Sequence, residues 1–439
     1  MMTVLSGACV RRFCLRSDID TKQHETETFH AANCLCYNIV VVIKDDVMKV
    51  SILLASFIII YGGINFYICV RLCRWLRTVT QRPAFSKAAA VIYSVLALTL
   101  VLGLFPMPAE WIGKLIEGIN SRWMGIFVYL FLATVLADIV LLALKPAGIA
   151  SEPLSEGMVI LSGTAVVLVT AAVCIAGFAH AKRLKTVSYE VKDVSETPLR
   201  AVLISDIHLG AIGTEDKLPG IIDAVNAEEP DIVFFAGDIY NGDFDAIKDP
   251  DKVSEEFMRL KPKYGCYACL GNHDAGDTLA DMVGLAERSG IRVLREEWFI
   301  IPDVCIVAGR ADSSPIGSSS MLRGDTADLI TRICEAAEKE GDTEVSSVFG
   351  PSLPLIVLDH NPSHIGEYGT DVDLVLCGHT HAGQIWPGGL ITGLMYDNDY
   401  GMSRKSWKDP QVIVTSGAGY WGPPMRVGTS CEIAVIDIN

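Results

Sequence analysis

Two histidines, His379 and His381, stand two positions apart between glycines, directly after the apolar run 372–376. Metal-ligand residue types follow four other apolar runs in the same way, and these stretches are Asp206-Ile207-His208, Gly237-Asp238, Gly271-Asn272-His273-Asp274 and Asp359-His360-Asn361-Pro362. Ligands are held best where strands end in loops, because the sheet fixes their positions. The pattern therefore predicts a metal site built from five strand ends.

The residue types at these strand ends indicate which ions would bind. Aspartate and histidine suit borderline divalent ions such as Mn, Fe or Zn, and an asparagine oxygen adds a neutral ligand. The candidates are Asp206, His208, Asp238, Asn272, His360, His379 and His381. They are too many for one ion and suit two ions that share a carboxylate. Such a site stays net positive, so it would attract a phosphate anion and stabilise its transition state.

In two of these motifs the candidate ligands stand two positions apart, and this spacing predicts where their side chains point. In extended backbone, side chains two apart point to the same side. We therefore expect Asp206 and His208 to address one point, with Ile207 turned into the core, and His379 and His381 to do likewise. The neighbouring glycines permit tight turns and close approach of the backbone.

The elements that must position these residues form an alternating pattern. Short apolar runs typical of buried strands occur at 200–205, 231–236, 264–270, 355–358, 373–376, 411–416 and 432–438. Helical spacing occurs at 218–229 and 327–339. Alternation of strands and helices predicts an α/β architecture for this half of the chain.

The half of the chain before this domain has a different composition. Four apolar runs, at 50–70, 88–105, 123–144 and 158–179, each approach the length of a membrane-spanning helix. We expect a multi-pass protein of the cell membrane with a head at 1–47, a transmembrane region at 48–180, a linker at 181–198 and the α/β domain at 199–439. Met48-Lys49 resembles a translation start, so the head is interpreted as disordered or as a mis-called start.

Basic residues bear on the orientation in the membrane. The connection between the first two runs carries Arg71, Arg74, Arg77, Arg82 and Lys87, and the positive-inside rule places it in the cytoplasm. Four crossings then put the α/β domain outside the cytoplasm. The cations that follow the fourth run, Lys182, Arg183 and Lys185, favour the opposite orientation.

Two further features leave alternatives open. Asp138 lies inside the third apolar run, where an acidic side chain is costly to bury. Asp138 either has a functional role or pairs with a polar group on another helix, such as Asn65. Cys266 and Cys269 have CxxC spacing, but a single such pair in an apolar stretch favours buried thiols over a zinc or redox site. The formal net charge of −16 argues against a nucleic-acid partner.

The ordered series of D-x-H, GD, GNHD, H-x-P and GHTH motifs resembles the calcineurin-like metallophosphoesterase family, in its bacterial membrane-associated branch. The resemblance covers about 199–439 and includes Tyr400-Gly401, Ser416-Gly417-Ala418-Gly419 and Pro424-Met425-Arg426. Ala382 stands where that branch often has glycine. The resemblance implies a four-layer sandwich of two mixed sheets flanked by helices.

The same resemblance implies roles for individual residues. One ion would be held by Asp206, His208 and His381, the other by Asn272, His360 and His379, with Asp238 bridging them. A metal-bridging hydroxide would attack phosphorus. His273 would face the phosphate as a catalytic residue, and Asp274 would orient His273.

The expected function is that of a membrane-anchored, metal-dependent phosphoric ester hydrolase acting on a phosphorylated small molecule or lipid. Phosphoester and pyrophosphate bonds both stay open, and the membrane anchor makes lipid-linked or envelope substrates attractive by association. The alternative is a membrane sensor or transport subunit whose phosphoesterase-like domain binds a phosphate ligand.

Overall fold

The computed structural model describes residues 54–105, 107–146, 153–195, 197–317, 322–341 and 353–439. The head predicted at 1–47 lies outside the described residues. The chain divides into two units between Tyr67 and Ile68, and the second unit, Ile68–Asn439, contains every element discussed below except the first part of helix α1.

Four apolar helices precede the α/β domain, and each is long enough to cross a membrane. Their bounds are α1 Leu54–Thr80, α2 Pro83–Leu102, α3 Glu110–Leu144 and α4 Glu156–His180. Each of them extends past its predicted apolar run at one end or both, because a helix continues through polar residues that hydropathy excludes. Helix α1 therefore includes Arg71, Arg74 and Arg77, and the connection to α2 shrinks to Gln81 and Arg82.

Polar contacts hold these helices together. Arg71 in α1 donates a hydrogen bond to Asp138 in α3 and forms an ion pair with it. The pairing interpretation of Asp138 is therefore confirmed, with Arg71 as the partner. Asn120 Nδ2 in α3 donates to the Thr99 carbonyl in α2 at 2.9 Å.

Two mixed six-stranded sheets form the α/β domain. The first has the order β1-β12-β2-β3-β4-β5 and consists of β1 Leu184–Val191, β2 Leu199–Ile204, β3 Ile232–Ala236, β4 Cys266–Cys269, β5 Ile291–Val293 and β12 Cys431–Ile438. The second has the order β10-β11-β9-β8-β7-β6 and consists of β6 Glu297–Ile301, β7 Cys305–Gly309, β8 Leu355–Leu358, β9 Leu374–Cys377, β10 Gly401–Ser403 and β11 Gln411–Val414. Strands β2–β5 are parallel in one sheet, and β7, β8, β9 and β11 are parallel in the other.

Helices cover the outer face of each sheet. The remaining helices are α5 Leu218–Ala227, α6 Pro250–Phe257, α7 Leu279–Arg288, α8 Thr326–Gly341 and α9 Gly388–Met395. Helices α5–α7 bury their apolar faces on the first sheet, and α8 packs on the second. The inner faces meet through side chains such as Leu203, Phe234 and Ile356. This helix–sheet–sheet–helix arrangement confirms the predicted fold.

The segment predicted as a linker, 181–198, contains a strand. Strand β1 pairs in parallel with β12, from Leu184 opposite Cys431 to Val191 opposite Ile438. Its sequence LKTVSYEV alternates exposed and half-buried side chains at the sheet edge, so composition alone resembles a polar connection. The first sheet therefore begins four residues after the end of α4.

Candidate metal centre

All seven candidate ligands follow the carboxyl ends of parallel strands. Asp206 and His208 come after β2, Asp238 after β3, Asn272 after β4, His360 after β8, and His379 and His381 after β9. The two sheets bring these ends to a common edge. Three overlapping groups form there, and within each group the ligand atoms lie within 4.8 Å of one another. The first group consists of Asp206, His208 and His381, the second of His208, Asp238 and His273, and the third of Asp238, His360 and His379.

The backbone at five of the seven candidate ligands is left-handed rather than extended. The φ angles are 52° at Asp206, 54° at His208, 51° at Asp238, 71° at His379 and 50° at His381. The extended geometry expected for the D-x-H and H-x-H pairs is therefore wrong, although Ile207 does turn into the core. Left-handed backbone at a residue with a Cβ costs roughly 1–2 kcal/mol, which packing must offset at each position.

A first cluster forms around His208 and His381. The Nε2 atoms of these two rings lie 3.2 Å apart, and Asp206 Oδ1 lies 3.5 Å from His381 Nε2. Asp238 Oδ2 lies 3.7 Å from His208 Nε2. One carboxylate, two imidazoles and a shared aspartate thus converge on one point.

A second cluster forms beside it around His360 and His379. His360 Nε2 lies 3.2 Å from Asp238 Oδ2 and 3.2 Å from Asn272 Oδ1. His379 Nδ1 lies 2.8 Å from Asn272 Oδ1 and 3.2 Å from His360 Nε2. His379 and His381 therefore enter different clusters, which corrects the expectation from spacing that they address one point.

The donor atoms in both clusters fit divalent cations. Ligands about 2.1 Å from a cation lie roughly 3.0–3.5 Å from each other, which matches most of these separations. His360 Nδ1 lies 2.7 Å from the Ala236 carbonyl, and donation there leaves the Nε2 lone pair facing the cluster. His208 Nδ1 is buried without a hydrogen-bond partner among the described residues, so no second contact constrains its tautomer.

Burial and the aspartates set the protonation of these side chains. Burial lowers the pKa of His208 to about 3 and of His379 to about 4, so both rings are neutral and able to bind a metal. Burial also opposes charge on His360, but the Asp238 carboxylate outweighs it and raises the pKa of that ring well above its usual range.

The first aspartate is held by a hydroxyl, a backbone amide and close glycines. Ser205 Oγ donates to Asp206 Oδ2 at 2.6 Å, and His379 N donates to both carboxylate oxygens at 3.1 Å. A Cβ at Gly378 would lie 1.9 Å from Ser205 Oγ, and one at Gly417 would lie 2.6 Å from Asp206 Cβ. Only glycine lets the two loops approach the carboxylate this closely.

His273 and Asp274 lie beside the ligand clusters. The His273 ring lies edge-on to His208, with ring centroids 4.9 Å apart, and 6.2 Å from the Trp421 ring. Asp274 accepts hydrogen bonds from the backbone of Gly271, Ile239 and Tyr240 at 2.9, 3.2 and 2.8 Å. These bonds tie the loops after β3 and β4 together. The roles of His273 at the phosphate and of Asp274 in orienting the His273 ring stay predictions.

The sequence motifs gave no role to Arg426, which the structure buries beside His381. Its Nη1 donates to the His381 carbonyl at 2.9 Å, and its Nη2 donates to the carbonyls of Ser416 and Gly419, both at 2.7 Å. Burial lowers the pKa of His381 well below its usual range, and the Arg426 charge lowers it further. The only sequence signal for Arg426 was its place in the Pro424-Met425-Arg426 stretch, which resembles the family.

Three minor predictions have plain outcomes. Cys266 and Cys269 are buried free thiols on β4, and burial raises the pKa of Cys266 to about 12, so the preference for structural thiols over a metal or redox pair agrees with the structure. Ala382 has a φ of 50°, which explains why glycine suits this position. Trp421 is half exposed beside His273 at the mouth of the site.

A cavity of about 950 Å³ lies between the ligand loops and the apolar helices. Its wall on the domain side includes Ala211 and Ile212, which follow His208, and Asn241, which follows Asp238. Its wall on the helix side includes Phe105 and Met124. The cavity therefore lies between residues that follow His208 and Asp238 and residues of α2, α3 and their connection. Both walls mix apolar side chains with charged ones such as Glu117 and Asp243.

Comparison with known proteins decides the family. Residues 199–383 match the family model described as calcineurin-like phosphoesterase. An uncharacterized metallophosphoesterase of Aquifex aeolicus is 30% identical over 244 residues, which cover 55% of this chain and 86% of that protein. The chain belongs to the calcineurin-like metallophosphoesterase family. As a member of this family it is a metal-dependent phosphoester hydrolase, and its clustered histidines and aspartates could hold the metals.

Two further metallophosphoesterases are similar to this chain. A transmembrane protein with metallophosphoesterase domain from Danio rerio is 31% identical over 296 residues, and the match covers 61% of each chain. The UDP-2,3-diacylglucosamine pyrophosphatase LpxG of Chlamydia trachomatis is 24% identical over 221 residues, which cover 43% of this chain and 66% of that protein. Together with helices α1–α4, the first of these relatives indicates that this metallophosphoesterase is a membrane protein.

Proposed function

We propose that this chain hydrolyses a phosphoester or pyrophosphate bond of a lipid-linked substrate at a two-metal centre. The observation that carries the proposal is the position of Asp238, whose Oδ2 lies 3.7 Å from His208 Nε2 and 3.2 Å from His360 Nε2. One oxygen thus belongs to both ligand clusters. Asp206, His208 and His381 would hold one cation, and Asn272, His360 and His379 the other. We infer Mn, Fe or Zn from the nitrogen and oxygen donors.

The protein residues then divide the work. Two bound divalent cations would activate water and neutralise charge on the phosphoryl oxygens. His273, beside His208 and Trp421, would face the phosphate and stabilise its transition state or protonate the leaving oxygen. Asp238 also accepts from the His273 backbone N–H at 2.8 Å, which fixes the His273 loop relative to both clusters.

The cavity and one relative support a lipid-linked substrate. The cavity next to the ligand loops has one wall from helices α2 and α3, so a lipid-linked substrate would approach the ligand loops along these helices. The LpxG relative is a pyrophosphatase named for a diacylated sugar nucleotide.

The test is metal restoration on the full-length protein in detergent. The protein is stripped with a chelator, and Mn, Fe or Zn is added back before assay on an aryl phosphodiester, an aryl phosphomonoester and a lipid pyrophosphate. We expect activity to be absent without metal and to return with close to two equivalents. Failure of every metal on every substrate would overturn the proposal.

We also propose that the catalytic domain lies outside the cytoplasm. Helix α4 ends next to β1, so the chain path places the C-terminal end of α2 and the N-terminal end of α3 on the side of the catalytic domain. The turn between α1 and α2, with Arg74, Arg77 and Arg82, then lies at the opposite end, where the positive-inside rule predicts cytoplasm.

The exposed Cys334 on α8 reports on this orientation. A membrane-impermeant maleimide should label the Cys334 peptide in intact cells, and Cys334→Ser should remove that label without loss of protein. Labelling of this peptide only after the membrane is opened would place the catalytic domain in the cytoplasm.

A further inference from the structure

Helix α9, which directly follows the His379–His381 loop, exposes a continuous apolar surface. Leu390, Ile391, Leu394 and Met395 are 64%, 59%, 90% and 67% exposed, and no residue of the helix is buried. Their spacing places them along one side of the helix. Trp386 adds a further 56%-exposed ring just before it. Contiguous apolar surface of this kind marks a contact with a protein or a membrane.

The helix is fixed to the domain by its other residues. A Cβ at Gly383 would lie 2.0 Å from Gly389 N, so the start of α9 packs directly on the loop after His381. Thr392 Oγ1 donates to Asp399 Oδ2 at 2.7 Å, and Thr380 Oγ1 donates to the Asp399 carbonyl at 2.6 Å. The apolar surface therefore has a fixed position relative to the metal ligands.

Contacts with α3 and α4 place this loop at a known level along the apolar helices. Tyr129 in α3 donates to the Trp386 carbonyl at 2.8 Å. Arg426 N donates to the Gly177 carbonyl in α4 at 3.1 Å. Met425, Tyr129 and Cys174 form one buried cluster. The catalytic domain therefore reaches Tyr129 on α3 and Cys174 on α4.

The lengths of α3 and α4 beyond these contacts indicate how far the bilayer extends towards α9. From Tyr129 to the end of α3 at Leu144 the helix rises only about 22 Å, at 1.5 Å per residue. From the start of α4 at Glu156 to Cys174 it rises about 27 Å. The hydrocarbon core of a bilayer is about 30 Å thick. The core must therefore extend to the level of Tyr129 and Cys174, where the Trp386 carbonyl lies.

We propose that α9 lies in the bilayer interface, with its apolar side among lipid acyl chains. The bilayer is the occupant the geometry favours, because the same lipid already surrounds α3 and α4 at this level. An interfacial helix of this kind buries its apolar side a few ångströms into the acyl boundary. The metal-ligand loop is then held at the depth of the lipid head groups. If the proposed function holds, a membrane lipid would present its phosphate there without leaving the bilayer.

The position of α9 is tested by photocrosslinking in the full-length protein in phosphatidylcholine–phosphatidylglycerol vesicles. Benzoylphenylalanine replaces Leu394 in one variant and Met258 in a matched control. Met258 is also exposed, but it follows α6 at the end of the domain away from the metal ligands. We expect lipid adducts at 394 and none at 258. A protein adduct at 394, with a second copy or another segment of this chain, or no adduct there, would overturn the proposal.

A second measurement separates this proposal from the proposed function, because lipid adducts need no catalysis. Leu394→Asp should lower turnover of a phospholipid phosphate in vesicles at least about fivefold relative to wild type. The Leu394→Asp variant should turn over a soluble aryl phosphate as fast as the control variant Met258→Asp does. Equal losses on both substrates, or none on either, would contradict a role for α9 at the membrane.

Discussion

Asp238 uses its two carboxylate oxygens differently. Oδ2 faces both ligand clusters, whereas Oδ1 accepts the backbone N–H of His273 at 2.8 Å. The side chain is buried, and the His360 charge holds its pKa far below the usual range against the effect of burial. A permanently ionised oxygen between two cation sites keeps them close while offsetting their repulsion.

The substitution Asp238→Asn therefore tests the two-metal arrangement. The asparagine amide keeps the shape of the Asp238 carboxylate but removes the negative charge that both clusters share. We expect turnover to fall more than about 100-fold, since even outer partners of metal ligands are worth 10–100-fold. Bound metal should fall from two equivalents to one or fewer by elemental analysis. Asp371→Asn, at an exposed aspartate, is the control and should leave both quantities unchanged. Full metal content with normal turnover in Asp238→Asn would refute the bridging role.

Residue types in the site could be predicted from the sequence, but their backbone conformations could not. Side-chain chemistry and order indicated all seven candidate ligands, because the aspartates, histidines and asparagine recur after apolar runs. The left-handed φ at Asp206, His208 and His381 leaves no periodic signature. Contacts between loops that are distant in sequence surround these residues, as when His379 N donates to the Asp206 carboxylate and Arg426 Nη1 donates to the His381 carbonyl. The division of His379 and His381 between two clusters follows from the same turns.

At the scale of elements, Arg426 links the loops that follow the neighbouring strands β9 and β11. The loop after β11 contributes the Ser416 and Gly419 carbonyls, and the loop after β9 contributes the His381 carbonyl. All three oxygens are paired through one buried guanidinium. Arginine suits this position because its planar fork offers donors in several fixed directions.

Arg426→Met should show what this contact contributes. It leaves the buried Ser416 carbonyl without a donor, at about 1–3 kcal/mol, whereas the His381 and Gly419 carbonyls keep Gln384 N and Cys431 Sγ. We expect the unfolding midpoint in detergent to fall by roughly 5 °C, and metal affinity to weaken because the His381 loop is released. The control is Arg259→Met, which removes a half-exposed arginine paired with Asp223 and Glu256. Solvent screens such a surface pair, so the midpoint of the control should stay close to that of wild type. Equal midpoints in the two variants would contradict the inferred contribution.

The elements predicted correctly are those whose apolar runs are buried on both faces. Strands β2, β3, β8, β9 and β12 are buried and continuous, and each was found within one or two residues of its bounds. The sequence patterns did not indicate the edge strands β1, β5, β6 and β10 or the inner strand β7. Edge strands are held by a single neighbour, so their composition resembles a loop. Strand β7 is buried throughout, but a run of five residues that ends in glycine gives no clear periodicity.

On the scale of the whole molecule, α3 and α4 touch the catalytic domain through Met425. A Cβ at Gly125 would lie 2.3 Å from Met425 Sδ, and one at Gly177 would lie 2.7 Å from Met425 Cε. Met425 is fully buried and precedes Arg426, whose guanidinium lies against His381. Gly125 in α3 and Gly177 in α4 thus leave room for the Met425 side chain. The next residue, Arg426, contacts the candidate metal ligand His381.

Gly125→Leu should consequently disturb catalysis without altering any ligand. The added side chain overlaps Met425, and overpacking of this kind costs about 1–3 kcal/mol. We expect a several-fold lower turnover of a soluble aryl phosphate at saturating metal, together with a lower unfolding midpoint. Gly157→Leu in α4 is the matched control, because a Cβ there meets nothing within 4 Å. The two variants should differ clearly, and identical kinetics would show that the junction at Met425 does not reach the site.

Helix α3 is a single uninterrupted element of 35 residues, from Glu110 beside the cavity to Leu144 at the far end of the apolar region. It is about 52 Å long, well over the thickness of the hydrocarbon core. Because a continuous helix tilts as one body, a bilayer that is too thick or too thin for it would turn both ends together. A change in lipid thickness would then shift Tyr129. Its hydroxyl is hydrogen-bonded to the Trp386 carbonyl, so the shift would reach the loop that contains His381.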